Sequence, residues 1–176
     1  MEERFGFIHD KLDIKILILY ILQRIPEPIS IDILAEQTLC DDGICYFDFA
    51  ECVAELKKTG HIVETDDKFL ITEKGRRNGK ITETGLPYSV RLKVDKSVAK
   101  LLKVLKRNSA ITTSRTQKGR GSYLVTLTIS DGIGQIFTAD VLAGSEEQAE
   151  KLEKSFRAKA ELAYKNFMDT LTEDQM

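Results

Sequence analysis

Residues 31–77, IDILAEQTLCDDGICYFDFAECVAELKKTGHIVETDDKFLITEKGRR, set out the order of elements from which the rest of the chain is read. Ser30 predicts an N-cap for a short helix that turns Ile31, Leu34 and Ala35 inward. Cys40-Asp41-Asp42-Gly43 predicts a tight turn, with Gly43 expected at positive φ. A longer helix follows from about Cys45 to Thr59, with Phe49, Cys52, Val53 and Leu56 inward and Gly60 as its stop. His61 to Thr65 and Phe69 to Ile71 read as strands about the loop Asp66-Asp67-Lys68. Thr72 then caps a helix that carries Lys74, Arg76, Arg77 and Lys80.

Towards the N-terminus, His9-Asp10 opens a further helix, with Asp10 as N-cap and Asp13 near the positive end of the helix dipole. Ile14, Leu17, Ile18, Ile21, Leu22 and Ile25 form its apolar stripe. Ile16, Leu19 and Tyr20 add apolar surface on the other side. A helix apolar nearly all round is covered on more than one face, so a second domain or a second subunit is expected above it. Pro26 and Pro28 end it. Helix, helix, turn, helix, hairpin and helix together make the order of a winged helix-turn-helix.

The stretches GFIHDKLDIKILILYIL (6–22), DDGICYFDF (41–49), LITEKGRR (70–77) and LPYSVR (86–91) resemble a bacterial winged-helix family catalogued only as a domain of unknown function. Thr72-Glu73-Lys74-Gly75-Arg76 also resembles the passage after the wing in repressors of the PadR type. The first resemblance covers nearly the whole chain. It implies an N-terminal winged helix with a C-terminal companion and a regulatory role, and it brings no operator, ligand or catalytic residue.

From Pro87 onward, Tyr88, Val90, Leu92 and Val94 alternate with Ser89, Arg91 and Lys93, which predicts a strand. Asp95 is expected to cap a helix to about Arg107, with Val98, Leu101, Leu102 and Leu105 inward. Three strands follow at Ala110 to Lys118, Ser122 to Ser130 and Gln135 to Leu142, punctuated by Gly119, Gly121, Asp131-Gly132 and Gly134. Ser145-Glu146-Glu147-Gln148 is a capping box, and the last helix runs to about Leu171. The expected fold class is α+β: a winged helix-turn-helix over 1–86, then a small α+β domain over 87–176 in the order β-α-β-β-β-α. The last helix should reach roughly 40 Å, against about 30 Å for a domain of that length. The excess is expected to lie on the N-terminal domain or on a partner subunit, and a homodimer through that helix and the first one is the preferred account.

Composition excludes several classes. The chain has 176 residues, 42% hydrophobic and 31% charged, as in a globular protein. Its longest apolar run, Ile16 to Leu22, is too short to span a bilayer, and no leader opens it; a cytoplasmic protein with no membrane partner is expected. Cys40, Cys45 and Cys52 are separated by four and six residues, form no CxxC pair, and are joined by only two histidines, His9 and His61. No metal site and no cofactor is expected. Neither a phosphate-binding glycine loop nor a Ser-His-Asp set can be assembled, so no catalytic residue is assigned. The order helix, three strands, helix after Asp95 matches a double-stranded-RNA-binding domain, but Ser145-Glu146-Glu147 stands where such domains place lysines.

Charge is unevenly spread. Residues 1–60 carry 6 Lys and Arg against 12 Asp and Glu, residues 61–130 carry 15 against 6, and residues 131–176 carry 5 against 10. The candidate DNA contacts are Tyr46, Lys58, Lys68, Lys74, Arg76, Arg77 and Lys80, with duplex DNA as the expected partner. A second basic stripe, Lys93, Lys96, Lys100, Lys103 and Arg107, repeats at helical spacing. Against this stands the expected outward set of the third helix, Cys45, Asp48, Glu51, Glu55 and Lys58, whose carboxylates would repel a phosphate-lined groove. The Asp66-Asp67 wing tip has the same sign. The sequence therefore favours a dimeric winged-helix transcriptional regulator with an unknown effector. The alternative is a protein-interaction module docking through Tyr46, Phe47, Asp48 and Glu51.

Overall fold

A computed structural model describes residues 6–8 and 10–172, so His9 lies outside the described residues. The chain is a mixed α+β protein with two three-stranded antiparallel sheets. It divides into two compact units, Met1–Leu102 and Lys103–Met176. That division falls inside a helix, whereas the 86/87 boundary read from the sequence falls in the segment before it.

The first unit is built on α1 (Lys11–Arg24). Four isoleucines make it an indifferent helix former, at a few tenths of a kcal/mol each. Burial of each large side chain contributes about 2 kcal/mol, so packing decides. Ile14 and every residue from Ile16 to Leu22 are buried. Asp10 caps it by accepting from the Asp13 amide at 2.8 Å. A two-residue strand, β1 (Ile29–Ser30), leads into α2 (Ile31–Thr38), where Ser30 Oγ accepts from the Ile33 amide. Next comes α3 (Tyr46–Lys58), with Cys45 as N-cap and Phe49, Cys52, Val53 and Leu56 buried as expected. Gly60 has φ +72° and ends it.

The hairpin is β2 (Ile62–Thr65) and β3 (Lys68–Ile71), and β1 joins β3 to give the order β1-β3-β2. Asp66 and Asp67 both take positive φ, 51° and 58°, the conformation a two-residue hairpin turn demands. Gly43 does not lie at positive φ, contrary to expectation. Its reason is close approach, because a Cβ there would stand 2.2 Å from the Ile8 carbonyl oxygen. After the hairpin, Thr72 caps α4 (Glu73–Thr82), whose buried face is Gly75 and Gly79.

The strand expected at Tyr88 to Val94 is a helix. A single α5 (Tyr88–Ala110) follows a 3-10 turn at Glu83–Gly85 and carries the chain from the first unit into the second. Its buried residues, Val90, Val94 and Val98, are spaced by four, whereas Tyr88 and Leu92 are 71% and 41% exposed. The period of two was therefore half coincidence, since valines four apart satisfy both periods. Asp95 sits in mid-helix rather than at a cap. Its carboxylate accepts from the Tyr20 hydroxyl at 3.0 and 3.1 Å and from Arg24 Nε at 2.7 Å, and the Arg24 guanidinium lies 3.4 Å from the Tyr20 ring centre. Burial first, and then the Asp95 hydrogen bond, push the Tyr20 hydroxyl up to about 12. The second covering of α1 therefore comes from within its own unit, from α4, the 3-10 turn and the first half of α5.

The second unit continues through β4 (Ile111–Gly119), β5 (Ser122–Ser130) and β6 (Gln135–Ala143), paired as a meander, to α6 (Glu146–Thr172). Its order is thus helix, three strands, helix, without the leading strand. Val125, Leu127, Ile129, Ala143 and Ile111 bury one sheet face with Ala149, Phe156 and Ala160 of α6. The opposite face is polar at its centre, where Thr126 Oγ1 donates to Asp140 at 2.6 Å. Ser145 caps α6 through the Gln148 amide, and Gln148 Oε1 accepts from the Gly144 amide. At Lys159 the backbone leaves helical geometry (φ −131°, ψ 21°), breaking the expected straight rod.

Candidate nucleic-acid interface

The third helix presents a different surface from the one its acidic residues suggested. Glu51 and Glu55, four apart on α3, meet Lys11 and Lys15, four apart on α1. Lys11 Nζ is 2.7 Å from Glu51, and Lys15 pairs with Glu55. The hydrogen bond from Lys15 holds the Glu55 carboxyl below its ordinary range, and that from Lys11 to Glu51 raises the Lys11 ammonium. These pairs are partly exposed and add little stability. Their consequence is electrostatic, since each carboxylate on that flank is matched by a cation from α1. Asp48 Oδ2 accepts from the Cys45 thiol at 3.1 Å.

The fully exposed stripe of α3 is Phe47, Ala50, Ala54 and Lys58, with Tyr46 at the leading edge. Phe47 is 75% and Tyr46 57% exposed. Lys57 leans to the strand beside it and pairs with Glu64. The sequence assigned Asp48, Glu51 and Glu55 to the outward set because helical spacing alone does not say which flank α1 occupies. Lys11 and Lys15 were missed for the same reason. Their only signal was an i, i+4 pair of lysines upstream of an i, i+4 pair of glutamates.

Of the expected contacts, Lys58, Lys68, Lys74, Arg76, Arg77 and Lys80 are all exposed. Lys74 is anchored, its Nζ donating to the Thr59 carbonyl at 2.8 Å and so tying the start of α4 to the end of α3. Lys58, Lys68, Arg76, Arg77 and Lys80 make no ion pair among the described residues. The inward Gly75 and Gly79 explain how α4 turns Arg76, Arg77 and Lys80 outward. The junction beneath them is polar: Asn78 Nδ2 lies 2.7 Å from His61 Nε2, and His61 Nδ1 lies 2.8 Å from Thr59 Oγ1. Burial, and then Lys74, lower the His61 pKa.

The second basic stripe is partly committed to structure. Lys93 donates to the Cys40 carbonyl, and Arg107 meets Glu161 through two hydrogen bonds of 2.6 and 2.9 Å and also the Arg157 carbonyl. Lys96, Lys100 and Lys103 are exposed. An apolar hollow of about 330 Å³ in the second unit is lined by Lys103, Lys106, Ile111 and Ile129 beside that ion pair.

Asp41, which the sequence placed only in a turn, is buried. Its carboxylate accepts from the amides of Phe7, Ile8 and Gly43 at 3.0–3.3 Å, fixing the segment before α1 on the α2–α3 turn. The three cysteines are free thiols, and no group of three or more metal-ligating side chains occurs among the described residues. No described helix is long and apolar enough to cross a membrane.

Fold and surface thus define an α+β protein whose first unit displays an aromatic-tipped helix beside cations that make no ion pair among the described residues. The chain belongs to the family described as a domain of unknown function (DUF4364), which matches residues 14–171. No curated protein and no solved structure matches it.

Proposed function

We propose that the first unit is a winged helix-turn-helix that binds double-stranded DNA, with α3 as the helix entering the major groove, β2 and β3 as the wing, and the cations of β3 and α4 on the phosphates. Its element order, and the short β1 completing a β1-β3-β2 sheet, support this reading. The observation that carries it is the pairing of Glu51 and Glu55 with Lys11 and Lys15, which offsets two of the three outward carboxylates of α3, while Lys68, Arg76, Arg77 and Lys80 stay exposed and make no ion pair among the described residues. Duplex affinity comes mainly from neutralised phosphates, and these are the groups able to neutralise them. The protein acts as a dimeric transcriptional regulator in the cytoplasm, without catalytic chemistry, and the second unit supplies the dimer contact.

The test is titration of the whole protein against genomic duplex fragments, beginning with its own promoter, at two ionic strengths. Arg76→Ala with Arg77→Ala should weaken binding and lower the slope of log affinity against log salt by about 2. The exposure of Tyr46 and Phe47 favours one rival, an interaction module that docks a partner protein through Tyr46, Phe47, Asp48 and Glu51. On that reading the arginine changes do nothing and Phe47→Ala abolishes capture.

A further inference from the structure

Resting on the duplex-binding reading above, we infer that α3 reads thymine: Phe47, Ala50 and Ala54 recognise C5-methyl groups in the major groove by apolar contact instead of hydrogen-bonding to base edges. The outward stripe of α3 offers a ring and two methyl groups, all exposed. Nothing on that stripe before Lys58 is an amide, a guanidinium or an uncommitted carboxylate. Asp48 receives the Cys45 thiol, and Glu51 is held at 2.7 Å by Lys11. Tyr46 keeps a hydroxyl at the first turn, and Lys58 lies at the far end of the stripe, three turns from Phe47.

Base-edge chemistry decides what such a surface can distinguish. A guanine–cytosine pair shows the groove two acceptors and a donor, and burying these against carbon leaves them unpaired at a cost. An adenine–thymine pair shows an apolar group as well, the thymine methyl, and Phe or Ala is the kind of side chain that meets it. The two alanines also lack any side chain long enough to hold the helix away from the groove floor. With phosphate contacts supplying affinity from the cations on β3 and α4, methyl contacts need supply only discrimination. By the transfer of one buried carbon, each methyl is worth about fourfold in affinity.

A second device could give the same taste for adenine–thymine sequence, namely cations reading a narrow minor groove. The two differ in their response to base analogues. The experiment selects bound sequences from a random duplex pool with the whole protein, then resynthesises the best duplex with uracil in place of thymine. A third duplex carries 5-methylcytosine at cytosines flanking the thymine run. Removal of methyl groups should weaken binding about fourfold per contacted thymine, 5-methylcytosine should strengthen it, and Phe47→Ala should shrink the uracil penalty. Phe47 is exposed enough for that variant to fold. Equal affinity for the uracil duplex, with binding still sensitive to Arg76→Ala and Arg77→Ala, overturns methyl reading and leaves duplex binding standing. Retention of no duplex at low salt overturns both.

Discussion

A Cβ added to Gly75 would stand 2.1 Å from the carbonyl oxygen of His61, so α4 lies against the end of α3 at a distance only glycine permits. The obstacle is backbone, which cannot swing aside. Ala is the better helix former by about 1 kcal/mol, yet Gly75→Ala should destabilise the protein by about 2 kcal/mol, because overpacking outweighs propensity. The melting midpoint should drop by roughly 5 °C. Gly79→Ala should cost less, since its nearest neighbour is the flexible end of Gln23, which gives up a 2.8 Å bond to the Arg76 carbonyl as it moves. Scanning calorimetry of both variants checks the order; a Gly79 variant that melts below the Gly75 variant reverses it.

The ion pairs between α1 and α3 make a charge prediction. Lys11→Glu with Lys15→Glu turns a balanced flank into one with four clustered carboxylates beside the proposed groove. Duplex affinity at low salt should fall on the order of tenfold, and adding Glu51→Gln with Glu55→Gln, which takes away two of the four carboxylates, should recover part of it. Circular dichroism must show the same helicity throughout, because exposed pairs contribute under about 1 kcal/mol. An unchanged affinity in the four-carboxylate variant would mean that this flank never approaches phosphate.

Local signals carried much of the fold. Asp10, Ser30, Thr72 and Ser145 each name a helix start by their own chemistry, and each accepts the amide three residues on. Strands β4 to β6 declare themselves through glycine punctuation and alternation. What failed was whatever depended on a neighbour in space. Tyr88 to Val94 alternates in sequence, but burial selects only Val90 and Val94, and Asp95 is an anchor for Tyr20 and Arg24 that no local rule identifies. The candidate cations were legible as a cluster on one helix. The neutralisation of Glu51 and Glu55 was not, since it depends on which flank of α3 meets α1.

Cysteine reactivity should separate into three classes. Cys45 is exposed, Cys40 is half-buried, and Cys52 is buried. Desolvation pushes the Cys52 thiol up to about 11 and raises Cys40 as well. Because the thiolate is the nucleophile, an aromatic disulfide reagent at pH 8 should modify one thiol fast, a second slowly and the third only with unfolding. Cys45→Ser should remove the fast phase. Persistence of that phase would place the exposed thiol elsewhere.

His61 gives the α3–α4 junction a pH dependence of known sign. Its folded pKa lies below the ordinary value near 6.5, so the unfolded chain takes up the proton first on acidification. Below the folded value both states are protonated. His61 therefore contributes stability above pH 6.5 that is lost as pH falls through the lowered folded value, and nothing further changes below it. The charge of Lys74 disfavours the protonated ring in the same direction as burial. His61→Gln keeps an acceptor for Asn78 and does not titrate. Urea midpoints at pH 7.5 and 5 should show a smaller fall for the variant than for the wild type, and an equal fall would assign the acid sensitivity to other groups.

The dimer contact proposed for the second unit can be tested at one surface. Beyond the break at Lys159, α6 leaves Leu162, Phe167 and Leu171 exposed, at 54%, 49% and 66%, while the Phe167 ring centre also lies 5.5 Å from that of Phe137. In α1, by contrast, Leu12 is the one exposed large apolar side chain among the described residues, so the first helix offers little to a partner. An apolar stripe of this kind is a common place for two copies to meet in an isologous contact. Leu162→Glu with Leu171→Glu should yield monomers in sedimentation at micromolar concentration, with the melting curve of the first unit unaltered. Duplex binding should weaken with it, because two linked half-site readers act at high effective concentration and one alone does not. A variant that still sediments as a dimer moves the contact to another surface, and a wild-type protein that is already monomeric removes dimerisation from the proposed function.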